Sequence, residues 1–153
     1  MIVKTVKAYF CDYCNKKYYS ASWCSRHEAR CTMNPDRECM FCEKVLGQEQ
    51  PDMRELIKKY SGKIEFTERD EDFSGVIEGG IIEGASFIGK NKFSIKDIQS
   101  DCDGCPACTL AVLRQSGLAH HLIYPLIGEF DYEKEKQAVW SAINEEEARR
   151  EMW

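Results

Sequence analysis

Nine cysteines and three histidines are the residues of this chain with the most chemistry to offer. Six of the cysteines stand in C-x2-C pairs: Cys11/Cys14, Cys39/Cys42 and Cys105/Cys108. Cys102 adds a third step ahead of the last pair. Two thiols at this spacing can reach one ion from a single tight turn, which suits a metal knuckle. A disulfide framework is the rival use. The odd cysteine count argues against it, as does an N-terminus where Lys4 and Lys7 interrupt any signal-peptide pattern. The expectation is therefore a cytoplasmic protein with reduced, metal-binding thiols.

Tyr9 to Cys31 holds four cysteines and one histidine, one candidate more than a tetrahedral site uses. His27 and Cys31 lie four apart, so on a helix they share a face and can close on a knuckle formed by Cys11 and Cys14. Ser20 or Ser22 can cap that helix at its start. Cys24 is the main alternative to His27. It lies seven residues from Cys31, also on one face, but using it leaves the best-placed imidazole idle. The expected ligands are Cys11, Cys14, His27 and Cys31.

The spacing Cys11-x2-Cys14-x12-His27-x3-Cys31 resembles the classical zinc finger, in the variant whose last ligand is cysteine. The resemblance covers residues 9–31 only. It implies a ββα fold, with Tyr9 and Tyr18 at the family's aromatic positions. Where the family carries a core leucine this chain has Cys24, which the resemblance makes a small buried hydrophobe. A unit this small has little core, so metal binding supplies most of its folding free energy.

Cys39/Cys42 and Cys105/Cys108 are separated by 62 residues. Two knuckles donating to one ion is the usual four-thiolate solution, and a long insertion between them is tolerable. The expectation is two Zn2+ per chain, with Cys102 either surplus or standing in for Cys105. Two rivals use the same residues. "CPAC" ahead of a helix looks like a glutaredoxin-type motif, which would make Cys105 and Cys108 a thiol redox pair. Cys102, Cys105 and Cys108 with one distant cysteine could instead hold an iron–sulfur cluster. Neither explains Cys39 and Cys42 as economically as zinc.

The net charge of −5 is unevenly spread. Residues 1–60 carry 11 Lys+Arg against 8 Asp+Glu, whereas residues 61–153 carry 10 against 18. The basic half contains the finger segment, which suggests an anionic partner on one side. By resemblance, base contacts would come from Ser20, Ser22, Trp23 and Arg26. Lys16, Lys17, Arg26 and Arg30 are the candidate phosphate contacts, with Trp23 as a stacking surface. One finger buries too little surface for strong sequence-specific binding, so DNA or RNA binding is expected to be weak and nonspecific. Trp23 serves equally as the anchor of a protein interface or as packing against the rest of the chain. A protein partner ranks first, because the chain as a whole is acidic.

Asn34-Pro35-Asp36 is a turn signal, dividing the chain into a finger over 1–34 and an α+β domain over 35–153. Met53, Leu56, Ile57 and Tyr60 form the stripe of a short helix opened by Pro51. Residues 63–95 read as short glycine-broken strands ("KIEF", "GVIEGG", "IIEGAS", "FIG", "KFSI"), with an exposed acidic loop at Glu68–Asp72. A helix runs from Pro106 to Gly117. The last helix starts at a capping Asp131, with Glu133 and Glu135 near its positive end and Arg149 and Arg150 near its negative end. Tyr132, Val139, Trp140 and Ile143 give it a buried face. His120 and His121 read as surface or packing residues. No nucleophile elbow, phosphate loop or paired-carboxylate motif occurs, so an interaction module in a regulatory or nucleoprotein complex is expected, not an enzyme. No apolar run is long enough to span a bilayer.

Overall fold

Two short strands and a helix come first. β1 (Tyr9–Phe10) and β2 (Lys17–Tyr18) pair antiparallel, with Tyr9 opposite Tyr18 and Phe10 opposite Lys17. Directly opposed residues share a face, so the register sends the two pairs to opposite sides of the hairpin. Tyr18 packs on the buried Cys11, Cys24 and Cys31, whereas Phe10 stays half exposed. α1 (Ala21–Glu28) follows Ser20, whose hydroxyl meets that of Ser22 at 3.0 Å in place of a backbone N–H. Beyond α1, the Asn34 side chain donates to the Glu28 carbonyl (2.8 Å) and accepts from the Asp36 N–H (2.8 Å), which forms the expected turn. The computed structural model describes residue 1 and residues 4–66, 85–87, 92–119 and 123–151.

The later residues gather around α4 (Pro106–Gln115), in which Cys108, Thr109, Ala111, Val112 and Leu113 are all inaccessible to solvent. A helix apolar on nearly every side belongs at the centre of a core. α2 (Met53–Tyr60), α3 (Ile95–Asp101) and α6 (Tyr132–Glu151) pack against it, and α5 (Tyr124–Ile127) contributes Ile127 to the same core. α2 buries Met53 and Tyr60 and half-buries Leu56 and Ile57, the stripe expected of it. Its cap is Asp52, which accepts from the Glu55 N–H at 3.1 Å, so Pro51 precedes the helix and does not open it. Gly117, at φ +71°, lies just past the end of α4 in the left-handed conformation that glycine tolerates best.

Two further expectations need correcting, and one element was not expected at all. "KFSI" is no strand: Ser94 starts α3, and the Asp97 carboxylate accepts from the Ser94 N–H at 2.6 Å. Local capping outweighs the β-propensity of a four-residue apolar run. A π-helical turn over Cys42–Leu46 also went unforeseen. The second correction concerns α6. Asp131 does cap it, accepting from the N–H groups of Glu133 (3.1 Å) and Lys134 (3.2 Å). Tyr132, Val139 and Ile143 are half-buried, but Trp140 is 44% exposed. α6 rests on α4 along a narrow stripe, and Trp140 is rotated past its edge.

β3 (Ile64–Phe66) and β4 (Ala85–Phe87) form a second antiparallel pair with Glu65 opposite Ser86. β4 crosses the break expected between "IIEGAS" and "FIG", taking the last two residues of one and the first of the other. The rest of those two segments, "GVIEGG", the acidic stretch Glu68–Asp72, His120 and His121 fall outside the described residues. Among the described residues no helix is long and apolar enough to cross a membrane.

Asp101 joins α2 to α3. Its Oδ2 accepts from the Tyr60 hydroxyl at 2.6 Å and from Lys59 Nζ at 2.5 Å. Lys59 and Tyr60 hold the Asp101 carboxyl below its ordinary range, so this contribution is present at neutral pH and fades as pH falls through that lowered value. Tyr60→Phe keeps the buried ring and removes the donor. It is expected to cost about 1 kcal/mol in urea unfolding at pH 7. The cost should shrink once Asp101 is protonated.

Candidate metal centres

The turn after β1 carries Cys11 and Cys14, and α1 with the loop beyond it presents His27 and Cys31. The four donor atoms lie within 4.8 Å of one another. Cys14 Sγ stands 3.1 Å from His27 Nε2, which identifies the ring nitrogen aimed at the thiols. The Tyr18 ring, 5.2 Å from the imidazole, packs beside His27. Cys11 and Cys31 are buried, His27 is half-buried and Cys14 is exposed. Desolvation opposes ionisation of Cys14, yet hydrogen bonds from His27 and the Lys16 N–H outweigh it and hold the thiol down to about 7. Burial pushes Cys31 up to about 11, against a hydrogen bond from the Met33 N–H. Cys24 is buried with its Sγ 3.9 Å from a Glu28 carboxylate oxygen, and it stands outside the ligand group.

The second group draws on elements far apart in sequence. Cys39 and Cys42 lead into the π-helical turn, while Cys105 and Cys108 flank the first turn of α4. All four thiols are 5% exposed or less and lie within 4.8 Å of one another. Cys39 Sγ is 3.6 Å from Cys105 Sγ, and Cys42 Sγ is 3.6 Å from Cys108 Sγ. A disulfide would require about 2.05 Å. Thiolates at about 2.3 Å from a tetrahedral zinc ion are separated by about 3.8 Å, so the observed edges fit a metal. The knuckles share one detail: the Cys42 N–H donates to Cys39 and the Cys108 N–H to Cys105.

Electrostatics point the same way. Hydrogen bonds from the Cys105 and Cys108 thiols, with the nearby charge of Arg37, favour ionised Cys39. Burial and the neighbouring Cys105 push the Cys42 thiol up. Four adjacent buried thiols cannot all ionise without a cation among them, and a divalent ion of thiol-seeking chemistry meets that need.

Cys102 is fully buried but is not one of the four. Burial raises its thiol to about 12, and the Thr109 hydroxyl stands beside it. Asp103 (φ +50°) and Gly104 (φ +71°) turn the chain between Cys102 and Cys105, and it is Cys105 that reaches the other thiols. Of the nominated binding residues, Lys16, Lys17, Trp23, Arg26 and Arg30 are all exposed. Trp23 is 62% exposed with the Arg26 guanidinium 5.5 Å over its ring, so among the described residues it is not packed into the rest of the chain. Lys17 lies 4.9 Å from the Tyr19 ring on the outer side of the hairpin.

Sequence reasoning missed the polar residues that hold the knuckles together. Gln50 Oε1 accepts from the Cys39 N–H at 2.6 Å, and its Nε2 donates to the Arg37 carbonyl at 2.8 Å. Gln48 Nε2 donates to the Asp103 carbonyl at 3.2 Å. Buried Arg37 donates to the Ala107 carbonyl, between Cys105 and Cys108, at 3.0 Å. Arg114 and Gln115 of α4 reach back to Thr32 at 2.8 and 2.9 Å. Only the closeness of Arg37 to Cys39 could have flagged any of these. Compared with protein-family models, curated proteins and solved structures, the chain matches none.

Proposed function

We propose that this chain is a zinc-binding, non-enzymatic module that works by macromolecular interaction, with two Zn2+ held in structural sites. The observation that carries the reading is that both ligand groups are closed quartets of protein donors. Structural zinc sites have four protein ligands, whereas catalytic ones keep a position for water or substrate. Zinc would cross-link each quartet and stabilise the fold around it. Cys11, Cys14, His27 and Cys31 would close a ββα finger, and Cys39, Cys42, Cys105 and Cys108 would clamp α4 to the π-helical turn. The redox reading of Cys105 and Cys108 is disfavoured because both thiols are inaccessible, and a reactive cysteine needs an approach path.

The finger offers the contact surface. Phe10, Tyr13, Tyr19 and Trp23 are exposed there, and Lys16, Lys17, Arg26 and Arg30 surround them. We favour an acidic protein surface as partner, with Trp23 as the rigid aromatic anchor. The Lys17–Tyr19 and Arg26–Trp23 pairings support a second reading, in which unpaired bases stack and phosphates bind. Metal analysis of the purified protein tests the first claim, with two zinc ions per chain expected and none sinking it. Anisotropy titrations with a single-stranded oligonucleotide then separate the partners. Salt-sensitive binding that Lys16→Glu/Lys17→Glu abolishes, with zinc retained, selects nucleic acid. Absence of binding at low salt selects protein docking, with Trp23→Ala as the variant expected to lose it.

A further inference from the structure

The residue that stands out beyond the ligands is Arg37. It is 7% exposed, yet among the described residues no carboxylate pairs with it. Its Nη1 donates to the Ala107 carbonyl at 3.0 Å, and its buried Nε has no hydrogen-bond partner. A buried guanidinium lacking an anion is expensive, because desolvation of a charge is offset only by an opposite charge or a full set of hydrogen bonds. A single carbonyl does not meet that need. Something nearby must carry negative charge.

The four-thiolate group does. Arg37 lies two residues before Cys39, and the carbonyl it holds belongs to Ala107, between Cys105 and Cys108, so its guanidinium is set between the two knuckles. Four thiolates around one divalent ion leave about two surplus negative charges, here in a dry interior. We infer that Arg37 is the built-in counter-charge of the buried four-cysteine centre: it neutralises part of the metal–thiolate charge while bracing one knuckle against the other through Ala107. The need is mutual. Among the described residues the centre has no other buried cation, and Arg37 has no carboxylate partner. Gln50 fixes the arrangement by bridging the Cys39 N–H and the Arg37 carbonyl. Arg37 is thus a positioning and charge-tuning residue that touches no metal.

This inference rests on the second quartet holding a divalent ion, so the experiment reads that first. Full-length chains are loaded with zinc and challenged with a chromogenic chelator, then reloaded with cobalt(II) to record thiolate-to-metal absorbance. Wild-type protein that yields only one ion overturns the two-site reading itself. Given two ions, Arg37→Met, which keeps most of the volume and removes the charge, is expected to weaken one ion about 10- to 100-fold, the range typical of lost outer-shell partners. The ion of the finger should be unaffected. Without the nearby cation the sulfur lone pairs rise in energy, so the cobalt charge-transfer band should move to longer wavelength. A residue that acted only by packing would not shift it.

Arg37→Lys separates charge from strap, since it keeps a cation and gives up the guanidinium geometry. It is expected to restore most of the affinity and the wild-type band position. Unchanged zinc retention in Arg37→Met overturns the inference. So do equal losses in the Met and Lys variants with an unmoved band, which would leave only the brace to Ala107. Should Arg37→Met fail to fold with zinc present, the Lys variant decides alone: near-wild-type retention supports the counter-charge and a loss of one ion rejects it.

Discussion

Cys108→Ser is expected to release one of two metal ions and to abolish the cooperative unfolding transition of the helical body. Serine is close in size to cysteine, so the substitution opens no large cavity and the loss is that of a ligand. Cys108 is fully buried in α4, beside the Ala111, Val112 and Leu113 that form the core. The remaining thiols would be left crowded in the interior without the cation that lets them ionise together. Apparent binding free energies of structural zinc are about 10–16 kcal/mol, against about 5–15 kcal/mol for the stability of a whole domain. Losing most of that contribution should leave α4 without its tie to the Cys42–Leu46 turn. Cys42→Ser is expected to release the same ion, because the quartet joins knuckles 62 residues apart in sequence. Elemental analysis counts the ions, and near-ultraviolet circular dichroism during heating reads the packing. Two ions retained in both variants would sink the shared-knuckle model. Cys102→Ala provides the contrast: it should keep both ions and cost only packing, since Cys102 lies outside the quartet. Iron–sulfide colour in the purified protein would favour the cluster reading instead.

What could be read from the sequence divides along a physical line. Ligand spacing is a local property, so the grouping of Cys11 and Cys14 with His27 and Cys31 was legible, although α1 ends at Glu28 and Cys31 reaches the site from the loop beyond it, not from the same helix face as expected. The joining of the two later knuckles is not local. It was legible only because free thiols at C-x2-C spacing need a shared partner. Helical stripes with marked ends, as at Met53–Tyr60 and Tyr132–Glu151, were also legible. Short apolar runs were not: "KFSI" has β-propensity but begins a helix, because Ser94 and Asp97 cap it. Trp140 shows the same limit at the level of packing. Sequence marks it as apolar, and only the narrow contact of α6 with α4 leaves it exposed. Arg37 was least legible of all, since a lone arginine reads as surface until a fold surrounds it.

His27→Ala is expected to unravel residues 9–31 while leaving the helical body folded. The buried core of this segment is Cys11, Cys24 and Cys31, with Tyr18 packed against it. Two of those three are themselves ligands, so little hydrophobic stabilisation survives when the site fails. Removal of the imidazole also takes away the ring on which Tyr18 packs. Amide chemical shifts of residues 9–31 should collapse to random-coil values with the loss of one zinc ion. Those of α2, α3 and α4 should stay dispersed, because their core and quartet are separate. Some shifts near Thr32 will move, as Arg114 and Gln115 lose an ordered partner. Cys24→Ala is the decisive comparison. It deletes one buried sulfur beside Glu28 and should cost about 1 kcal/mol of packing with both ions in place. If Cys24→Ala released an ion while His27→Ala kept both, the thiol and the imidazole would have exchanged roles. The first centre would then be an all-thiolate site with His27 as a packing residue.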